Sequence, residues 1–495
     1  MNVRRILSAW MAALTLFSCA ACSTGAPSED TTAVTASNTA ADETTTAVPE
    51  TTVDPNAPLD ALPADLKFSG MTFRTIQQNT ILPCTTEEET GEVINDTLYA
   101  RNRAVEERLD VTIAPVRLEN YQDITTIIAS SVQAGSDDYD LVLGQMFRTA
   151  NDALKGLFAD WNKMPYVDLT QPWYTKSIQD ASVGDRLELI NSDFCMAYCQ
   201  QTWLMLFNKT KLSDYGITEN MYDIVREGRW TVDMLNNLTK DVYTDLNGDG
   251  TRDKEDFYGF AGTLGDCMLA AFMYGADTRL ISLDKDNVIS QPIMEERAVN
   301  LLTKMSALFV TNTGSMKHAN ALSATRRGLF PKGNYLFEAM MVADLTSDAM
   351  REFSNEFGVL PLPKYDEDQK EYYTVVDGGS DILTVPKTAQ NTELIGAMVE
   401  ALSAESYRVL IPVYCEIALE QKGTRDKESI DMLRMILDSR VIDFGYLYDG
   451  LAAWVPQLKT LVQKPDQIVS IQKKLAPSML KIYQQVVDYF TAPVE

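Results

Sequence analysis

Apolar and polar residues alternate along Met71-Thr-Phe-Arg-Thr-Ile76, and this period of two predicts a strand ending in Gln77, Gln78 and Asn79. Helical spacing with a charged face follows from Glu92 to Leu109, then a second strand from Val111 to Val116. Another helix runs from Tyr121 to Ala134 and is closed by Gly135. Tyr139-Asp-Leu-Val-Leu143 is a continuous third strand, followed by Gly144 and Gln145. This βαβαβ order predicts a parallel sheet whose ligands bind beyond the carboxyl ends of its strands.

Leu157 to Trp173 is an irregular connector. Arg186 to Asn191 and Met196 to Phe207 read as strands, the second apolar enough to cross a core. Thr231 caps a helix, and Met268 to Tyr274 and Glu296 to Leu308 are further helices. Strands return at Asn334 to Met341, Phe357 to Leu362 and Ser380 to Val385. From Glu393 the chain is mostly helical, ending in Pro477 to Phe490. Strands that return after a long helical excursion predict an α/β protein of two discontinuous lobes joined by crossing segments. The expected division is 59–165 with 330–376, against 205–325 with 380–495.

The amino terminus departs from this pattern. Arg4 and Arg5 precede an apolar run, Ile6 to Phe17, too short to span a membrane as a mature helix, so it reads as an export signal over residues 1–22. Leu16-Phe-Ser-Cys19 and Cys19-Ala-Ala-Cys22 both resemble a bacterial lipobox, which makes Cys22, or Cys19, the expected lipidated residue. Residues 23–58 are rich in Thr, Ser, Ala, Asp, Glu and Pro without an aromatic or basic residue. Such a segment cannot bury enough apolar surface to order itself and serves as a tether, spanning roughly 30 to 36 Å on average.

The 495 residues carry 43 Lys and Arg against 70 Asp and Glu, a formal charge of −27. That balance excludes nucleic acid as a partner, because phosphate contact needs a basic face. It suits a soluble protein handling neutral or cationic ligands. Much of the acid is scattered, but Asp245-Leu-Asn-Gly-Asp-Gly-Thr-Arg-Asp-Lys-Glu-Asp256 has a register. Asp245, Asn247, Asp249, Asp253 and Asp256 fall at positions 1, 3, 5, 9 and 12 of a calcium loop, with Gly250 at the sharp turn and the Thr251 carbonyl at position 7. Position 12 is Asp instead of the usual Glu, which shortens its reach. The expectation is one structural Ca2+; the bland rival is a solvated acidic turn.

Five cysteines lie beyond the signal: Cys84, Cys195, Cys199, Cys267 and Cys415. An odd number excludes a complete disulfide framework. Cys195 and Cys199 have no zinc-like partner spacing downstream and read as buried thiols; the alternative is a strand, on which both would face one side, near each other. The lone His318 rules out a histidine-based metal cluster and reads as a surface residue.

Several stretches together resemble the family 1 extracellular solute-binding proteins, lipoprotein receptors of carbohydrate ABC importers in Gram-positive bacteria. They are Asp96-Thr-Leu-Tyr-Ala-Arg-Asn102, Glu106-Glu-Arg-Leu-Asp-Val111, Tyr139-Asp-Leu-Val142, Phe207-Asn-Lys209 and Arg229-Trp-Thr231 with the acidic loop and Tyr258-Gly259. Phe357-Gly-Val-Leu-Pro-Leu-Pro363, Ala404-Glu-Ser-Tyr407 and Arg425-Asp-Lys-Glu-Ser429 complete the set, which spans nearly all of residues 60–490. The acidic loop is also similar to one half of a dockerin, a module that uses two such loops near a terminus. The resemblance implies a two-lobed, periplasmic-binding-protein-like fold of type II, closing on its ligand by a hinge. It also implies a monomer without catalysis of its own, delivering ligand to the importer's membrane subunits from the outer face of the cell membrane.

A sugar cleft needs aromatic platforms beside polar side chains. Trp173, Trp203, Tyr448 and Trp454 are the aromatic candidates, Trp173 first because it lies in a connector. Gln77, Gln78, Asn79 and Gln145 follow predicted strands, and Asp377 precedes Gly378-Gly379, where backbone can approach a ligand closely. Two other functions fit the composition: a secreted carbohydrate-active enzyme using a pair of carboxylates, and a surface glycan-capture protein without an importer.

Overall fold

A computed structural model describes residues 57–78, 84–120, 122–318, 330–421, 424–451 and 453–492. The expected signal at 1–22 with Cys19 and Cys22, all but the end of the tether, and Asn79 lie outside the described residues.

Two sheets organise residues 57–492. The first is built from strands β1 (Met71–Gln78), β2 (Val111–Leu118) and β3 (Leu141–Gln145). β1 is central and parallel to both neighbours, as the βαβαβ pattern predicts. Helix Val93–Leu109 crosses between β1 and β2, burying Leu98, Arg101, Asn102, Val105, Glu106 and Leu109 at three- and four-residue intervals, the stripe expected of a helix on a sheet. Helix Gln122–Gln133 returns to β3 and buries Ile124, Ile128 and Val132. Gly135 takes the left-handed conformation just beyond its end.

The second sheet starts at β4 (Trp203–Asn208), buried along its whole length, and continues with β5 (Tyr243–Thr244), β6 (Phe257–Thr263), β7 (Ser315–His318), β8 (Tyr335–Met341) and β9 (Phe357–Leu360). Its order is β9-β4-β8-β6-β5, with β7 also on β6. β10 (Asp381–Thr384) then returns to the first sheet as an antiparallel edge beside β3. This reverses the expected lobe membership. The strands of 330–376 belong with β4 and β6, whereas 381–384 closes the first sheet. Sheet partners are chosen by register across space, which a string of apolar runs does not encode.

Other differences are local. Residues 186–191 form isolated bridges, not a strand, and Met196–Gln200 is a short helix before β4. The last helix spans Ile468–Thr491 and contains Pro477 instead of starting there. Pro477 faces solvent, so the lost backbone bond costs least. Thr231 does cap its helix, accepting from Met234 N–H at 3.1 Å.

The halves are joined by crossing backbone. Residue pairs Ile190 and Leu383, Thr202 and Val376, and Thr374 and Arg440 form bridges outside the two sheets. Arg440 and Asp193 pair at 3.0 Å beneath these crossings, both buried.

Candidate functional site

The carboxyl end of β3 meets the crossing segment, with β1 alongside it in the sheet. Gln145 ends β3 and stands opposite Asp381 of β10. Phe147 follows, its N–H donating to the Gly378 carbonyl at 3.3 Å, and its ring lies so close to Gly378 that a Cβ there would fall 2.3 Å away. Asp377 N–H donates to the Gln201 carbonyl at 2.9 Å, and Gly379 N–H donates to Asp377 Oδ1 at 2.9 Å. A Cβ on Gly379 would lie 3.1 Å from Asp377 Oδ1, 3.4 Å from Gln201 Oε1 and 3.9 Å from Gln145 Nε2, so three polar groups surround backbone that glycine leaves open. Tyr446 packs its ring edge-on to Phe147 with centroids 5.2 Å apart and donates its hydroxyl to the Val376 carbonyl.

Strand alternation places Thr75, Gln77, Gln145 and Asp381 on one face of the first sheet. Gln77 is only 1 % exposed, yet neither its amide nitrogen nor its amide oxygen has a partner among the described residues. Thr75 Oγ1, Gln145 Oε1, Asn191 Oδ1 and Asp381 Oδ1 are in the same state. Each such group costs about 1–3 kcal/mol if it stays unpaired, so the cluster is built for something polar to fill it. Burial pushes the Asp381 carboxyl up to about 7, against a weak hydrogen bond from Cys195 that pulls it down.

Of the residues named from sequence, Gln145 and Asp377 meet at Gly379, Gln77 shares the sheet face of Gln145, and the half-buried Gln78 ends β1 on the opposite face. Sequence reasoning missed Phe147, Gln201 and Tyr446. The four aromatic candidates, Trp173, Trp203, Tyr448 and Trp454, are each at most 3 % exposed and lie in the packed interior. Trp173 packs on Tyr174 and Tyr407, and Tyr448 on Phe444 and Phe490. Large rings among apolar neighbours gain more from the core than from a wet cleft, so they hold the scaffold. A depression elsewhere, of about 570 Å³, is bounded mainly by charged groups, among them Asp277, Arg297, Asp368 and Glu371.

The side-chain oxygens of the acidic loop are held by nearby backbone N–H groups. Asp245 accepts from Gly248 and Gly250 N–H at 2.7 and 2.9 Å, Asn247 from Asp249 at 3.0 Å, Asp249 from Thr251 at 2.6 Å, and Asp253 from Glu255 at 2.8 Å. Gly248 and Gly250 both have φ of +73°. Asp256 is buried and accepts from the Tyr243 hydroxyl at 3.0 Å and Leu246 N–H at 3.2 Å. The all-oxygen donor set fits a hard cation. Among the described residues, however, no three of its carboxylates come within 4.8 Å of one another, so binding would require the loop to tighten.

Residues 104–408 match the family model for the bacterial extracellular solute-binding protein. The chain belongs to that family. This solute-binding protein has no significant sequence match among curated proteins. Solved structures share its fold. The cyclic alpha-maltosyl-1,6-maltose binding protein of Arthrobacter globiformis aligns at a TM-score of 0.56 and 14 % identity, covering 85 % of this chain and 99 % of its own. The substrate-binding protein Lmo0181 of Listeria monocytogenes, in complex with cycloalternan, aligns at 0.51 and 13 %, covering 84 % and 99 %. The GacH receptor of Streptomyces glaucescens, solved unliganded and with acarbose, aligns at 0.51 and 13 %, covering 86 % and 100 %. The two-lobed, periplasmic-binding-protein-like α/β fold is thereby established for this solute-binding protein. No described helix is long and apolar enough to cross a membrane.

Proposed function

We propose that the protein captures a neutral oligosaccharide between its two lobes, without altering it, and delivers it to the membrane subunits of an ABC importer. The observation that carries this reading is the Gln77 side chain, buried with both amide atoms unpartnered on the same sheet face as Gln145, which in turn meets Asp377 and Gln201 around Gly379. An amide offers a donor and an acceptor at once and no charge, which matches a hydroxyl group and not an ion. Phe147 supplies an apolar face for the C–H side of a sugar ring. The ligands in the structural relatives, cycloalternan and acarbose, support the same class.

A lipid on Cys22, or Cys19, would hold the protein to the outer membrane face through the 23–58 tether. One Ca2+ in the loop Asp245 to Asp256 would brace the second lobe, at an affinity of about 10⁻⁴ to 10⁻³ M, adequate outside the cell.

Isothermal titration against a panel of linear and cyclic gluco-oligosaccharides, with product analysis of the same mixtures, tests this reading. Saturable binding with unchanged glycan is the expected result. Turnover would establish the enzyme alternative instead, and the absence of binding to every neutral glycan would overturn the ligand class.

A further inference from the structure

Two cysteines 111 residues apart in sequence meet in the core beside the candidate site. Cys84 Sγ lies 2.7 Å from Cys195 Sγ, both at most 2 % exposed. Cys195 stands at the N-cap of a short helix on the crossing segment instead of lying on a strand with Cys199, and the Cys199 thiol is hydrogen-bonded with that of Cys415. One buried side chain holds the Cys84 and Cys195 segments in place. Arg101 donates to the Cys84 carbonyl on one side and to the carbonyl of Phe194, next to Cys195, at 3.0 Å on the other, and also to Ser406 Oγ at 2.8 Å. The two sulphurs are therefore brought together by a framework that does not depend on any bond between them.

We propose that Cys84 and Cys195 form a disulfide in the exported protein, stapling the chain after β1 to the segment that crosses between the lobes. An extracellular protein meets the oxidising conditions in which such bonds persist. In the step, an external disulfide of the glutathione type accepts the electron pair. The two thiols lose their protons, an S–S bond forms between Cys84 and Cys195, the oxidant's S–S bond breaks, and two oxidant thiols carry the protons away. The bond closes a long loop, the case in which a cross-link restricts the unfolded chain most. Asp381 Oδ2 lies 3.7 Å from Cys195 Sγ, and these two cysteines with Asp381 also place three metal-ligand atoms within 4.8 Å of one another. A thiolate–metal centre is thus the rival occupant, but it would have only three protein donors where structural zinc takes about four.

The test uses the full chain, secreted from its host and never exposed to reductant. After unfolding in alkylating reagent, a proteolytic map is expected to contain one peptide joining Cys84 to Cys195, lighter by two hydrogen atoms than its separated halves. Cys84→Ser with Cys195→Ser should lower Tm by on the order of 5 °C and make the melt insensitive to reductant at this site. Full alkylation of both cysteines in the unreduced protein would overturn the proposal. Stoichiometric zinc released together with two alkylatable thiols would overturn it in favour of the metal centre. The mapping needs no variant, so a failure of the double serine protein to fold leaves it decisive. Glycan binding is read separately and stands or falls on its own.

Discussion

The polar face of the first sheet and the acidic loop of the second lobe deal with the same problem in opposite ways. In the loop, backbone N–H groups two to five residues away satisfy the side-chain oxygens of Asp245, Asn247, Asp249 and Asp253, and water reaches the rest. Around Gln77 the polar atoms are shut from water and their own backbone does not answer them. A group that is already satisfied gains little from a ligand, whereas one buried without a partner gains the full cost of its isolation. The lesson is that binding capacity follows unmet demand more than it follows the number of acidic residues.

The largest effect should come from confusing scaffold with site. Trp173→Ala removes a buried indole and is expected to destabilise by about 3–5 kcal/mol, read as a large fall in denaturation midpoint. Loss of glycan affinity at unchanged stability would instead put Trp173 back in the cleft. Next is pH. Asp381 is raised to about 7 by burial, so the native state holds a proton that the unfolded chain has released. Stability is fullest below about 4 and falls as pH rises towards about 7, by a few kcal/mol. Oxidation of Cys195 would remove its donor and leave burial alone. Asp381→Asn should flatten that limb of the pH–stability curve, and an unchanged slope would show that native Asp381 releases its proton where the unfolded chain does.

Gln77→Leu sharpens the contrast directly. Deleting two unpartnered polar atoms should leave the free protein as stable or more so, by up to about 1–3 kcal/mol, while weakening glycan binding by roughly tenfold or more. A variant that loses stability and keeps affinity would reverse the assignment. The smallest effect belongs to the loop. Asp249→Ala should change the melt by less than about 0.5 kcal/mol in chelator. It should also abolish the rise in Tm that calcium gives the unaltered protein, and identical melts with and without calcium would remove the ion from the account.

The first sheet was legible because Met71 and Phe73, and Val111 and Ile113, stand two apart, and because Leu98, Val105 and Leu109 lie on one side of a helix. Thr231 announced its helix by capping chemistry. Gln77 and Gln145 could be found because they end strands, a position that topology links to ligands. Other features had no local signal. Met196 to Phe207 is apolar throughout, and an apolar run does not say whether it is helix or strand, so Met196–Gln200 was hidden. Which sheet takes β8, β9 and β10 depends on long-range pairing. Trp173 and Phe147 are both aromatics in mixed surroundings; only the packed chain tells that one is enclosed by tyrosines and the other lies on Gly378.

Phe147 sits on backbone of the crossing segment at Gly378, and its own carbonyl is so near Gly450 that a methyl there would fall 2.0 Å from it. Bare peptide thus meets this residue on two sides, at the ring and at the carbonyl. A fluorine atom on that ring would act as a gauge of the contact with Gly378, its resonance expected to move when glycan is added.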